Sequence, residues 1–242
     1  MPEFRQSSYE GLPEFASEGL HASAFALFRQ YVSPEAKVLD LGSGAGAWVQ
    51  RLHDASYAVI ASDIEPTTGK FKFPYRQIDL NQNFADAFGN AEFDAVSVVE
   101  VIEHLENPRH TIRQVKHLLK DGGIVLLTTP NASGLYSRIR FFFTGEMSMF
   151  TDSAYVRSGH ITPLTAWQLE KIFTESDMQV LERRFHDAPF VPPRSSGDLA
   201  KIVAWLAVRI FMCGTVGGQN ILYVLRNGPK GAAHIARASS KP

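Results

Sequence analysis

The sequence predicts one α/β domain, a seven-stranded, mainly parallel sheet with helices on both faces. Three observations predict it. Short apolar runs alternate with segments of helical period, the pattern of repeated βα units. One such run, Val38-Leu39-Asp40-Leu41, passes straight into the glycine-spaced turn Gly42-Ser43-Gly44-Ala45-Gly46. The third is size: 242 residues suffice for one sizeable α/β unit and are cramped for two, and 45% hydrophobic with 20% charged residues suit a packed core.

In chain order, a helix is expected over Glu18–Tyr31 and a strand over Lys37–Leu41. The glycine turn opens a helix at Ala47–Asp54, and strands follow at Ala58–Ser62 and Tyr75–Ile78. Phe93–Val99 is the fourth strand. A helix over Asn107–Leu119 ends in the turn Lys120-Asp121-Gly122-Gly123, which leads into a strand at Gly123–Thr129. Thr165 is placed to cap a helix over Thr165–Ser176, and strands at Gln179–Phe185 and Ile221–Arg226 complete the seven.

Residues 131–161 and 186–219 fall outside this alternation and are expected to be substrate-side insertions in a single domain spanning 1–242. The first follows the C-terminal end of a parallel strand, the edge at which open α/β sheets bind ligands, and carries Tyr136, Arg138, Arg140, Phe141, Phe142, Phe143, Met147, Met149, Phe150, Tyr155 and Arg157. Its aromatics suit an apolar pocket and its arginines a carboxylate or phosphate, although packing of a long loop explains the aromatics equally well. The second holds the loop Ala188–Pro193 and the apolar run Leu199–Cys213, too short to span a bilayer. That run reads as a membrane-surface segment, a cover over the site, or a buried connecting helix.

Charge is unevenly spread behind a net value of −1. From Arg194 onward there are seven Lys/Arg against Asp198 alone, whereas the preceding residues carry 17 basic and 24 acidic side chains. The basic tail at 227–242 suits contact with phosphate groups on a membrane or nucleic acid, or a solvated end. An acidic body argues against a nucleic-acid partner. Cys213 is the sole cysteine, which excludes an internal disulfide and a cysteine-based zinc cluster and fits a cytoplasmic location, with peripheral membrane contact through 199–213 and the tail. Glu3, Glu10, Glu14 and Glu18 interrupt the first thirty residues, so a secretory signal is not expected.

The glycine turn points to a nucleotide-like cofactor, because glycines let backbone N–H groups approach a ligand where a Cβ would collide. Gly42, Gly44 and Ala47 also satisfy the dinucleotide pattern, and Asp63 lies at a distance suited to a ribose in either setting. Further segments separate the two. These are Ala61-Ser62-Asp63-Ile64, Gln77-Ile78-Asp79-Leu80, Phe93-Asp94-Ala95-Val96, Glu100-Val101-Ile102-Glu103-His104-Leu105, Leu118-Leu119-Lys120-Asp121-Gly122-Gly123, Thr128-Thr129-Pro130-Asn131 and His160-Ile161-Thr162-Pro163. From about Val38 to Phe173 the chain resembles the class I S-adenosylmethionine-dependent methyltransferases, in particular the group containing the ubiquinone-biosynthesis O-methyltransferases. The resemblance implies a Rossmann-like sheet with an antiparallel last strand. It also implies S-adenosylmethionine held by Asp40, Gly42, Ser43, Gly44 and Gly46 at the methionine end, Asp63 at the ribose, Asp79, Leu80 and Ile64 at the adenine, and Glu100 beside the donor. An ionised carboxylate at Asp63 has two oxygens for two ribose hydroxyls.

Glu100, Glu103 and His104 stand at i, i+3 and i+4 and share one face if the chain turns helical there. The resemblance, which extends on this point to small-RNA 2′-O-methyltransferases, adds His160 and implies a divalent metal held by Glu100, Glu103, His104 and His160. That ligand set suits Mn²⁺, Fe²⁺, Co²⁺ or Zn²⁺ better than Mg²⁺. The metal-free reading makes His104 or His160 a general base with Glu103 beside it, and a structural reading makes Glu100 a cofactor-side contact and the others a helix start. Two histidines favour a hydroxyl acceptor, which must lose a proton. The expected activity is O-methylation of a small molecule, such as an aromatic, a quinone precursor, a lipid-linked intermediate or a sugar. The alternatives are an RNA 2′-O-methyltransferase and a non-catalytic S-adenosylmethionine-binding module.

Overall fold

The computed structural model describes residues 7–66, 71–89, 92–186 and 217–228. The expected run Leu199–Cys213 and most of the basic tail lie outside them. Strands β1 (Ser8–Tyr9) and β2 (Leu12–Pro13) form a small antiparallel hairpin ahead of helix α1 (Leu20–Phe28). There follow β3 (Lys37–Leu41), α2 (Ala47–Asp54), β4 (Ala58–Asp63), β5 (Tyr75–Gln77), β6 (Phe93–Val99), α3 (Pro108–Leu118) and β7 (Leu119–Pro130). Helices α4 (Leu135–Thr144), α5 (Asp152–Ser158) and α6 (Ala166–Glu175) precede β8 (Met178–His186) and β9 (Asn220–Asn227).

The main sheet has seven strands in the order β5-β4-β3-β6-β7-β9-β8. Strands β3 to β7 pair in parallel, and β9, last in sequence, lies antiparallel between β7 and β8. Side chains alternate across the pleat, so both faces must be covered. Val38, Ala95, Val99, Leu126 and Val224 meet Leu20, Leu27 and Phe28 of α1 and Trp48, Val49 and Leu52 of α2 on one face. Leu39, Leu41, Val96, Val98, Val125, Leu127 and Tyr223 meet Ile112 and Val115 of α3 and Leu169, Ile172 and Phe173 of α6 on the other. Among the described residues, no helix is long and apolar enough to cross a membrane.

Four local differences from expectation have identifiable causes. The hairpin turns on Glu10 and Gly11, both at positive φ (49° and 77°) as a two-residue loop between right-twisted strands requires, and Glu at the first position hides the signal. Lys120–Gly123 is not a separate turn: β7 runs through it, with a register shift opposite Phe93/Ala95. Residues 131–161 contain α4 and α5, each closed by a left-handed glycine, Gly145 and Gly159. His186 belongs to β8, and its ring lies 2.9 Å from Ser23 Oγ and 2.8 Å from the Glu18 carbonyl oxygen, tying the sheet edge to the start of α1.

Candidate active site

In a parallel sheet the strand ends collect at one edge, which brings Asp40 (β3), Asp63 (β4) and Glu100 (just past β6) together. The chain winds outward from β3 through β4 and β5 and returns to β6, so the loops after β3 and β6 face each other at the reversal of strand order, where such sheets bind ligands. The two loops touch: a Cβ on Gly42 would collide with Val101.

The glycine loop is built for close approach. Gly42, Gly44 and Gly46 have φ of 74°, 51° and 90°, which side chains rarely adopt. Gly42 N and Ser43 N donate to the Ser62 carbonyl at 2.8 and 2.9 Å, pinning the loop to β4. Gly46 caps α2 without a side-chain hydrogen bond, and the Ser43 hydroxyl is buried with no partner. An orphaned hydroxyl inside a glycine turn at a helix start fits a polar ligand.

The two strand-end aspartates differ in environment. Asp40 is buried, accepts from Ser97 Oγ at 2.6 Å, and is pushed up to about 7 by burial, with Asp63 adding to the rise and Ser97 opposing it. Asp63 is half-buried and accepts from Gly44 N at 2.7 Å and from Ile64 N at 2.7 Å. Asp63 thus organises the glycine loop while its carboxylate faces the same edge. Ile64 is exposed, Asp79 accepts from Asn81 N at 2.9 Å, and Leu80 packs into the core.

The acidic and imidazole cluster departs from a shared helical face. Glu100 adopts φ 54°, and the turn after it is a short 3₁₀ segment, Ile102–His104. Glu100 is thereby turned toward the sheet, accepting from Thr128 Oγ1 at 2.8 Å and Asn220 Nδ2 at 2.7 Å. Burial pushes it up to about 7, against those two hydrogen bonds. Glu103, His104 and His160 do converge, with one ligand atom from each lying within 4.8 Å of the others; Glu100 stands outside this trio. Both Glu100 oxygens accept hydrogen bonds, and among the described residues the potential ligand atoms that converge are those of Glu103, His104 and His160.

Glu103 is fully buried, with Oε2 accepting from Thr129 Oγ1 at 2.9 Å and Oε1 unpartnered. Burial, and secondarily the neighbouring Glu100, holds its carboxyl well above the usual range. His104 Nε2 lies 4.0 Å from Glu103 Oε1, and its ring packs edge-on to His160 at 4.8 Å between centroids. His160 arrives because its segment is tied to the β6–α3 loop: Ile161 N and Thr162 N donate to the Glu103 carbonyl at 3.1 and 2.9 Å, and Thr162 Oγ1 donates to the Leu105 carbonyl. His160 Nδ1 sits 2.8 Å from the Met149 carbonyl oxygen, which can only accept, so Nδ1 carries the proton and the neutral ring keeps a lone pair on Nε2. Burial lowers both histidines, with His160 adding to the effect on His104.

Ser97, Thr128, Thr129 and Asn220 were not singled out as site residues from sequence, and only the resemblance had touched the two threonines. The expected aromatic pocket of 131–161 is partly open: Phe142 and Phe143 are 81% and 77% exposed. Phe141, Phe142 and Met147 line one cavity of about 510 Å³ together with Arg138, whose Nε donates to the Ser133 carbonyl.

The chain is similar to known proteins. Residues 12–183 match the methyltransferase domain family. A ubiquinone biosynthesis O-methyltransferase of Xanthomonas campestris is 32% identical over 108 residues, 40% of this chain and 44% of that protein. The chain thus spans less than half the length of that relative. Among solved structures, a SAM-dependent methyltransferase from Archaeoglobus fulgidus superposes with a TM-score of 0.64 at 17% identity, covering 85% of this chain and 92% of the other. The N-methyltransferase NodS from Bradyrhizobium japonicum, in complex with S-adenosyl-L-homocysteine, gives 0.51 at 19% identity over 86% and 87%. These two likenesses establish the fold, and with the family match spanning most of its length the chain belongs to the methyltransferase domain family.

Proposed function

We propose that the chain transfers a methyl group from S-adenosylmethionine to a hydroxyl of a small molecule. The observation that carries this reading is the meeting, at one sheet edge, of a glycine loop with an orphaned buried hydroxyl and a pair of neutral-leaning imidazoles beside a buried carboxyl. The loop with Asp40 and Ser43 would hold the methionine end, and Asp63 the ribose, with Ile64 and Asp79 on the adenine side. When bound, S-adenosylmethionine supplies a methyl carbon on a sulfonium, and transfer forms a C–O bond as the C–S bond breaks to a neutral thioether. His160 takes the acceptor's hydroxyl proton on Nε2, the nitrogen left free by the Met149 carbonyl. His104, with the buried Glu103 beside it, holds the acceptor oxygen in place; alignment of this kind is worth about 7–11 kcal/mol in intramolecular reactions. The O-methyltransferase name of the Xanthomonas relative supports oxygen as the acceptor.

A divalent cation on Glu103, His104 and His160 is a second reading, favoured by the convergence of three ligand atoms and the unpartnered Glu103 Oε1. One carboxylate and two imidazoles suit Mn²⁺, Fe²⁺, Co²⁺ or Zn²⁺, and the Met149 carbonyl on His160 Nδ1 is the kind of outer contact that orients a ligating imidazole. Such an ion would lower the acceptor's pKa. Turnover against hydroxylated aromatic, lipid-linked and RNA acceptors, with and without chelator, separates the readings. His160→Ala is expected to abolish turnover while S-adenosylmethionine affinity stays within about threefold. Survival of turnover in that variant contradicts both roles, and turnover lost to chelator and restored by Mn²⁺ or Zn²⁺ selects the metal. Turnover confined to RNA would replace the small-molecule acceptor.

A further inference from the structure

The N-terminal hairpin is mounted on the helix that the glycine loop opens. Arg51 of α2 donates to Glu14 Oε1 at 2.8 Å, and its guanidinium lies 4.0 Å from the centre of the Tyr9 ring. Ser7 Oγ donates to Glu14 Oε2 at 2.7 Å, and Tyr9 Oη donates to Asp54 Oδ2 at 3.1 Å. Glu14 is 5% exposed, so a carboxylate has been buried to hold a hairpin of two-residue strands. Because Gly46 caps the start of α2, hairpin and loop share one rigid support.

What this mount delivers is the next residue, Phe15. Its ring atoms come within 3.1 and 3.6 Å of the position a Cβ on Gly44 would occupy, yet the residue is 65% exposed. A single exposed phenylalanine means little. One fixed against a loop glycine by a buried ion pair has a place and an orientation that packing does not explain.

We propose that the hairpin is a clamp on the donor pocket and that Phe15 covers the methionine end of the bound donor. The inference rests on the reading that the loop binds S-adenosylmethionine. Phe15 lies outside the acceptor cluster, so its effect falls on donor affinity, read as a dissociation constant without any turnover. Glu14, Arg51 and Tyr9 act through Phe15 as positioning residues.

The test is calorimetric titration of the full chain with S-adenosylhomocysteine, for the wild type, Phe15→Ala and Phe15→Trp. Phe15→Ala is expected to raise the dissociation constant about tenfold, the loss of one aromatic contact, with Phe15→Trp within about threefold of wild type. Since the ring is mostly exposed, the thermal transition of Phe15→Ala should match wild type, and hydrogen exchange at residues 8–13 should slow when the ligand is added to the wild type. A Phe15→Ala constant within twofold of wild type overturns the clamp and leaves the donor reading intact. Failure of the wild type to bind overturns both.

Discussion

Asp40 and Asp63 end neighbouring strands and are set apart by their surroundings. Asp63 keeps a carboxylate engaged with Gly44 N–H, so Asp63→Ala should weaken S-adenosylmethionine binding about ten- to a hundredfold by calorimetry, the loss of charge-assisted hydrogen bonds at the ribose together with an unpinned loop. Unchanged affinity would contradict the ribose role. Asp40 is held up to about 7 by burial, above its ordinary 3.8. A raised carboxyl binds its proton more tightly in the folded state, so its ionisation costs stability as pH climbs from about 4 toward 7. Asp40→Asn removes that cost and keeps an acceptor for Ser97, so the unliganded variant should be no less stable than wild type at pH 8 and yet bind the donor poorly. A cationic ligand beside Asp40 would lower its pKa. Binding at pH 7 should therefore release up to about half a proton, falling to none above about pH 8.5, measurable by calorimetry in buffers of different ionisation enthalpy.

At the scale of elements, the hairpin, α1 and α2 meet around a buried polar cluster with a predictable response to acid. His21 of α1 is buried, its ring 5.6 Å from Trp48, and burial lowers it to about 4, with Arg51 adding to the drop and Glu14 at 3.4 Å opposing it. The depressed histidine favours folding fully above pH 6.5, and that contribution is lost as pH falls from 6.5 toward 4, about 3 kcal/mol for a group this buried. Burial would raise Glu14, but its bonds to Ser7 and Arg51 leave it below its ordinary value, so protonating it also weakens the cluster in acid. Chemical denaturation should show stability falling over that window in the wild type and more shallowly in His21→Gln; equal slopes would contradict this placement. Helix α6 carries a full capping box between Thr165 and Gln168, and Thr165→Ala should cost about 1 kcal/mol with donor affinity unaffected. Thr165 was readable as a cap because it stands directly before an apolar period. The hairpin was not, since its two-residue strands carry no period and its turn begins with Glu.

At the scale of the whole molecule, the parallel sheet was legible because β3, β6 and β7 are buried on both faces and read as apolar runs, while the glycine turn marked the strand whose loop faces the reversal of order. Asp40 and Asp63 were legible as candidates because acidic residues at strand ends stand out in apolar surroundings, and Glu103 through its spacing from Glu100 and His104. Side-chain direction was not. Glu100 looked like a neighbour of Glu103 and His104 in spacing, but its left-handed backbone turns it to Thr128 and Asn220, and Asn220 comes from a strand 120 residues later. His160 was matched only through resemblance; the hydrogen bonds that carry it to His104 are backbone bonds to Glu103, which no residue type announces. Whether this edge binds a methyl donor is read most directly by calorimetric titration with S-adenosylmethionine, with NAD as control. Micromolar binding of S-adenosylmethionine, lost in Asp63→Ala and absent for NAD, is the predicted result; binding of NAD without S-adenosylmethionine would contradict it.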